Sequence, residues 1–278
     1  MTRSTALLGT TAGLGGAVVA AALGFAVRPR PFAPMTGEDR GVVELRQDLP
    51  PLLRQHLDAD GDGHVPRMDT VGLWADTRMR VGRTPWLPLR YRSLLGVGAA
   101  FVTDIELTWW GRPVLTGVDA YVDDRGMTRI GRSANVGDEI DQGANLALWA
   151  NSTLVPSAFA VGGRIAAVQE DFETTRLTFP LGSRTDVAWL RFSGGHPRRL
   201  SALRYKRTGR PKLWWHADYF GWRRVHGICL PQRLEVTWED EGRPWLRMDL
   251  VDFAANIDID AALTRAAQLV RRARSSCA

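Results

Sequence analysis

The sequence predicts a mainly β protein of the α+β class: a curved antiparallel meander or half-barrel of about ten strands, with short capping helices and an N-terminal hydrophobic helix. From residue 70 onward, apolar and polar residues alternate in short runs, as in strands that have one covered face. Turns that contain glycine separate these runs. Open sheets rarely exceed about ten strands without curling, so we expect a curved sheet.

Three parts follow one another along the 278 residues. Residues 1–27 are predicted to be a transmembrane anchor or signal segment, residues 28–40 a linker, and residues 41–278 a single β-rich domain that ends in a basic helix. Residues 5–27 carry no charge, and a helix of this length spans about 34 Å, enough for a bilayer core. The segment is therefore either a single-pass membrane anchor or a cleaved signal peptide.

The first elements of the domain precede the strands. Residues 42–57 place apolar residues near helical spacing, which Pro50 and Pro51 interrupt. An acidic loop follows, and then the strand candidates begin. They are VGLWADTRMRVG, WLPLRYRSLL (an edge strand or loop, given its prolines), AAFVTDIELTWW, VLTGVDAYV, MTRIG, TTRLTFPL, DVAWLRFS, RRLSALRYKR, PKLWWHADYF, GICLPQRLEVTW and PWLRMDLVDFA.

Two further helices are expected. Residues 143–155 are helical in pattern and stop before Pro156. Residues 260–274 form the second, with Asp260 as the N-cap. Arginines near its end suit the negative pole of the helix dipole, and lipid headgroup binding by this basic end is the functional alternative.

Composition and motifs exclude some functions and leave others open. The net charge is +6, and arginine supplies most of the positive charge. No helix-turn-helix, zinc-finger or OB pattern accompanies it, so we expect no nucleic-acid partner. The absence of a CxxC or Cys/His cluster argues against structural zinc. No GxSxG or SxxK motif marks a serine nucleophile, so the sequence identifies no catalytic residue and leaves enzymatic activity undecided.

The order of segments over residues 45–255 resembles a bacterial domain family of unknown function found in exported or membrane-attached proteins. The resembling segments are LPPLLRQHL, RMRVG, FVTDIELTWWGRPVLTGVDAYVDDRG, ALWANSTLVPSAF, VQEDFETTRLTF, and WWHADYFGW with GICLPQRLEVTW. The resemblance implies a curved sheet similar to the half-barrels of periplasmic lipoprotein carriers, which hold acyl chains on a concave face. Two residues depart from the pattern: Asn151 stands where Glu is usual and Leu154 where Trp is usual.

An acidic loop at 58–69 offers a candidate calcium site. Its carboxylates are those of Asp58, Asp60, Asp62 and Asp69, and Gly63 permits a sharp turn between them. This spacing matches an EF-hand-type loop. The residues after position 69 read as a strand, whereas an EF-hand continues into a helix. The alternatives are a calcium site and an acidic turn between a helix and a strand.

A second candidate site is a ligand-binding group in the Trp-rich stretch of the second half. Its members are Trp214, His216, Asp218, Trp222 and His226. If Gly221 centres a hairpin turn, His216 faces His226, with Asp218 on the same face. Two imidazoles and a carboxylate on one face could bind a metal or act as acid and base. The plain alternative is hydrogen bonding beneath a tryptophan-rich core.

These observations lead to three functional hypotheses. The first is an envelope protein that binds or carries a hydrophobic, lipid-like molecule on its curved sheet. The second is a metal- or carboxylate-dependent envelope enzyme that uses His216, Asp218 and His226, and the third is a calcium-stabilised interaction module. The expected partners are the membrane and a hydrophobic small molecule, with no cofactor other than calcium in the third hypothesis. We expect the body to be extracytoplasmic, either anchored or secreted after cleavage, and the sequence does not indicate an oligomeric state.

Overall fold

A computed structural model describes residues 23–58, 60–207 and 209–276, and in these residues the fold is mainly β. Thirteen antiparallel strands form one sheet in the order β8-β7-β6-β5-β4-β3-β15-β14-β13-β12-β11-β10-β9, and β1 and β2 form a separate pair. The strands are β1 Val42–Glu44, β2 His64–Pro66, β3 Thr70–Met79, β4 Leu87–Gly96, β5 Ala100–Trp109, β6 Arg112–Val122, β7 Arg125–Ile130, β8 Ser133–Asn135, β9 Ala166–Gln169, β10 Thr174–Leu181, β11 Arg184–Ser193, β12 His196–Tyr205, β13 Lys212–Val225, β14 Ile228–Trp238 and β15 Pro244–Ala255. The prediction of a curved antiparallel meander is therefore confirmed.

The curvature follows from which strands share one helix. The helices are α1 Pro51–Leu57, α2 Asp138–Ser152 and α3 Asp260–Ser275, with a 3-10 turn at Pro156–Phe159. Helix α2 contacts both β7 and β12, which lie eight places apart in the sheet. In a flat sheet they would be roughly 38 Å apart, whereas a helix is only about 10 Å wide. The sheet therefore curls around α2, and the face that α2 covers is concave.

Alternation along the strands builds a separate core on each face. The concave face packs against α1, α2 and the 3-10 turn, and its largest buried side chains include Phe101, Tyr121, Phe179 and Tyr219. On the convex face, Trp74, Leu94, Val102 and Met127 pack against α3 with residues 257–259. Each face is thus closed by helices over part of its length.

Residues 28–40, the predicted linker, have no regular secondary structure but lie along the convex face. Arg28 pairs with Asp76 at 3.6 Å, and the Phe32 ring lies 4.1 Å from the Arg90 guanidinium. Further along, the Glu38 carbonyl accepts a hydrogen bond from the Asn256 amide at 3.0 Å. This stretch is therefore fastened to the sheet at several points.

Several sequence-based expectations need correction. The stretch expected to be an edge strand or loop is β4, a full strand between β3 and β5; Pro88 is accommodated because it lies at the second residue of the strand. Residues Val42–Glu44 form a strand rather than a helix, since they pair with β2. Helix α3 begins at Asp260, but it is the Asp258 carboxylate that accepts a hydrogen bond from the Asp260 amide. Two short strands missed in the sequence, β8 and β9, bring the main sheet from the eleven candidates to thirteen strands.

Most of the predicted membrane segment, residues 5–22, lies outside the described residues. Within the described part of the chain, no helix is both long enough and apolar enough to cross a bilayer.

Candidate functional site

The concave face is filled at one end of the sheet and partly open at the other. Towards the turns 97–99 and 226–227, its side chains are buried beneath the helices. Towards the turns 80–86, 110–111, 131–132 and 239–243, which we call the mouth end, Thr77 and Leu89 are buried but ten other concave-face side chains are half-buried or exposed. These are Ala75, Met79, Tyr91, Ile105, Leu107, Leu115, Ile130, Leu234, Leu246 and Met248. The molecule's own core therefore occupies only part of the hollow.

An apolar cavity lies where the open part of the hollow meets the end of α2. It encloses about 430 Å³, some of it open to solvent. Little of this space is wide enough for the centre of a water molecule, so the cavity is a narrow slot. Ten residues line it: Leu73, Ala75, Tyr91, Asn151, Leu154, Leu230, Pro231, Leu234, Met248 and Leu250. Only Tyr91 and Asn151 contribute polar side-chain groups, so the slot favours an apolar guest.

The two residues that depart from the family resemblance, Asn151 and Leu154, both line this slot. The Asn151 side-chain amide donates to the Ala147 carbonyl at 3.0 Å, which holds it against its own helix. Compared with the pattern that the resemblance implies, this chain has no charge and less side-chain volume at these positions.

A polar row crosses the concave face beside the slot. Thr103 donates to Ser93 at 2.9 Å, and Thr128 donates to the Asp119 carboxylate at 2.5 Å. Burial raises the pKa of Asp119, although the hydroxyl of Thr128 opposes this effect. Burial likewise raises the pKa of Tyr91, which lies next to this row. A guest in the slot would therefore have hydrogen-bonding groups at one side.

Arg204 faces this row from the opposite wall of the hollow. Its guanidinium lies 5.5 Å from the ring centroids of both Trp215 and Trp238 and packs against Gly143 of α2. Burial lowers its pKa, while attraction to Asp119 and Asp186 opposes that change. Its Nε atom is buried without a hydrogen-bond partner among the described residues. The hollow thus combines an apolar slot with a buried cation.

The predicted hairpin register around Gly221 is wrong. Strand β13 continues through Gly221 to Val225, and His216 pairs with Thr237 of β14. The turn is His226-Gly227, where both residues have positive φ (48° and 81°), as a two-residue type I′ turn requires. Gly221, with φ 64°, instead lies within the strand, where a side chain would collide with Gln232. His216 and His226 are therefore not opposite each other.

The five residues of that predicted site fall into three places. On the convex face of β13, Trp214 stacks with His216, whose ring lies 2.8 Å from the Ser201 hydroxyl. Burial, and then Arg199, lowers the pKa of His216. Two hydrogen bonds from Arg199, at 2.7 and 3.0 Å, hold the Asp218 carboxylate on that face. Elsewhere, the Trp222 indole donates to the Pro197 carbonyl, and the His226 ring stacks on Phe253.

The acidic loop uses its carboxylates within the protein. Asp58 accepts hydrogen bonds from two backbone amides of the loop, and Asp60 pairs with Arg224. Asp69 pairs with Arg40 at 3.0 Å and with Arg67 at 3.3 Å, and Asp62 accepts from the His64 amide. Within the described ranges, no three carboxylate, imidazole or thiol groups converge as a metal site requires. Strand β2 lies within this loop, and the residues after position 69 form strand β3, as expected.

Sequence reasoning missed a buried histidine pair. His56 of α1 and His196 of β12 place their Nδ1 atoms 3.0 Å apart, and the Trp222 ring packs against both imidazoles. His56 is only 3% exposed. Burial, and then the neighbouring His196, lowers the pKa of His56 to about 3. The two residues are 140 positions apart, so no local pattern signals their contact.

Comparison with known families identifies the domain. A family model described as a family of unknown function, DUF6544, matches residues 43–248. The chain belongs to this family. The resemblance stated from the sequence is thereby confirmed at the level of a family whose function is unknown. No curated protein sequence matches the chain.

Solved structures show more distant likeness. A LolA superfamily protein from Nitrosomonas europaea has a TM-score of 0.46 at 10% identity, with 76% of this chain and 95% of that chain covered. A domain described as an outer membrane lipoprotein-sorting protein, from Vibrio parahaemolyticus, has a TM-score of 0.44 at 9% identity, with coverages of 77% and 96%. A DUF1329 family protein from Desulfovibrio piger has a TM-score of 0.43 at 11% identity, with coverages of 76% and 94%.

Proposed function

We propose that this DUF6544 protein binds a hydrophobic, lipid-like molecule in the slot on its concave face, at the cell envelope. The apolar slot supports this proposal most directly. Its lining is almost wholly apolar, as is usual for sites that bind hydrophobic small molecules. The narrow bore favours a slender acyl chain over a fused ring system.

The polar groups around the slot indicate an amphipathic guest. On the opposite wall of the hollow, the Nε of Arg204 is buried without a partner among the described residues, a cost in free energy that a ligand's polar group reaching it would offset. Tyr91 and Asn151 offer further hydrogen-bonding groups in the slot lining. The same geometry gives less support to an enzyme built on His216, Asp218 and His226, because His226 lies at a turn away from the other two.

The direct test is photolabelling of the full chain, held in amphipol, with a diazirine derivative of stearic acid. We expect labelled peptides to come from the slot walls: residues 73–75, 230–234 and 248–250. Ala75→Phe places a ring in the slot and should lower this labelling at least about ten-fold, because an acyl chain loses its space.

Ala166→Phe is the matched control, since Ala166 is exposed on the edge strand β9 and the change is identical. Native mass spectrometry of the same samples should show a co-purifying small molecule on the wild type and on Ala166→Phe, but not on Ala75→Phe. Labelling that spreads over the convex face, or that is equal in the two variants, would refute binding in the slot.

A further inference from the structure

The turn between β5 and β6 carries an exposed apolar tip. Trp109 and Trp110 pack edge to face with ring centroids 6.2 Å apart, and Trp110 is 48% exposed. Beside them, Val114 and Leu115 of β6 and Ile130 of β7 are also exposed, Ile130 at 53%. Several large apolar side chains exposed at one end of a folded domain commonly mark an interaction site.

Trp110 has a backbone conformation that is unfavourable for a bulky residue. Its φ is 51° and that of Gly111 is 70°, the positive pair of a type I′ turn in which Asn, Asp or Gly is usual at both places. A bulky residue at positive φ is strained, and such strain concentrates at functional positions. The contacts that this half-exposed ring makes within the chain offset little of that strain. An indole at this tip is explained if the ring contacts something outside the chain.

Arginines without an acidic partner lie in the turns of the mouth end, to which this tip belongs. Four of them are exposed and have no acidic partner within 4 Å among the described residues: Arg83, Arg112, Arg132 and Arg243. Away from this end, many arginines are paired, as in Arg90–Glu106 and Arg233–Asp249. The turn 239–243 also carries Glu239, Asp240 and Glu241, and the last two of these pair with Lys206. The positive charge next to the tryptophans therefore comes from Arg112 and Arg132. This combination suits the interface of an anionic bilayer, because indole rings favour the headgroup region and arginines attract anionic lipids.

The path of the chain places the same tip beside the predicted membrane segment. The first described residues, 23–26, are helical, and the Gly24 carbonyl accepts a hydrogen bond from the Trp110 amide at 2.8 Å. Gly24 packs so closely on the Trp109 indole that any side chain there would overlap it. The 22 residues before this point include the uncharged run 5–22, so a segment predicted to enter the membrane leaves the body at this tip.

From these observations we propose that the tip formed by Trp109, Trp110 and Leu115, with the arginines around it, docks on a bilayer that contains anionic lipid. Docking orients the β-rich domain with its mouth end towards the membrane. The N-terminal segment alone would tether the body without fixing its orientation, so the docking surface is a separate contribution. This surface does not depend on whether the slot binds a ligand.

The test uses the full chain in nanodiscs of phosphatidylcholine alone or of equimolar phosphatidylcholine and phosphatidylglycerol, followed by amide hydrogen exchange. We expect exchange in residues 107–115 to be at least about ten-fold slower in the anionic discs, since each basic residue near the surface strengthens docking about five-fold. Concentrated salt should abolish the difference by screening. Equal exchange in both discs, or slowing at the turn 226–227 instead, would overturn the proposal.

Two variants separate docking from folding. Arg112→Glu should weaken docking about 25-fold, whereas Arg223→Glu, the same charge change at an exposed arginine near the opposite end of the sheet, should leave it unchanged. Trp110→Asn should also weaken docking, yet keep or raise the melting temperature, because asparagine tolerates positive φ.

Equal effects of the two charge reversals would contradict a localised surface. A lower melting temperature for Trp110→Asn would mean that the ring serves the fold. Protection of 107–115 by an oligonucleotide but not by anionic discs would assign the surface to a different partner.

Discussion

Acidification should destabilise the protein through the buried pair of His56 and His196. Their Nδ1 atoms lie 3.0 Å apart, a distance at which one ring donates a hydrogen and the other accepts it. Adding a proton to His56 would place a charge next to a second imidazole, in a site that is only 3% exposed. The pKa of His56 is accordingly lowered to about 3 from 6.5, with burial as the main cause.

The sign and size of the effect follow from linkage. Because the folded state has the lower pKa, the unfolded state takes up the proton first as the pH falls below about 6.5. The stabilisation from keeping His56 neutral is therefore present above pH 6.5 and is lost progressively towards pH 3. At pH 5, which is about 1.5 units below the unfolded-state pKa, the loss of free energy is about 1.36 kcal/mol per unit, or roughly 2 kcal/mol.

The assay is urea unfolding of the full chain in one mild detergent at pH 7.5 and pH 5. The comparison is among wild type, His56→Gln and His64→Gln; His64 is the control because its side chain is exposed. Glutamine offers a neutral hydrogen-bonding group to His196 and does not titrate. We expect the wild type and His64→Gln to lose roughly 2 kcal/mol more than His56→Gln on acidification. Equal losses in all three would refute the assignment to this buried pair.

Two further outcomes are expected. Asn256→Ala should lower the free energy of unfolding by about 3 kcal/mol. The Asn256 amide makes hydrogen bonds to the backbone of Glu38, Arg67 and Asp69, and the residue has a φ of 54°, which alanine disfavours. Urea unfolding measures this loss, and a loss below about 1 kcal/mol would contradict the prediction. Melting temperatures with calcium and with chelator should coincide, because Asp60 and Asp69 already have arginine partners, and a rise of several degrees with calcium would show that the loop binds the ion.

The alternation of apolar and polar residues predicted the architecture well, because a repeat of two residues indicates which face of a strand is covered. In β14, the positions expected on the covered side, such as Leu230 and Val236, are buried on the concave face. Register was less predictable, since it depends on where the chain reverses. Gly221 looked like the turn because glycine tolerates positive φ, but the reversal occurs at His226-Gly227.

The candidate site was harder to predict from the sequence than the fold was. The slot joins side chains from four strands with the end of α2, so its walls come from residues up to 177 positions apart. The Arg204–Asp119 approach depends on the curl of the whole sheet, which no segment encodes alone. The aromatic and histidine cluster predicted around β13 is split because the strand continues past Gly221, which leaves His226 in the turn and not opposite His216.

The outermost strands of the main sheet, β8 and β9, have three and four residues. An unpaired strand edge can recruit the backbone of another molecule, and so extend a sheet from chain to chain. Here a second copy would find room for only a few backbone hydrogen bonds at either margin. Such short edge strands discourage polymerisation, which would matter if the protein is concentrated on a membrane as proposed above.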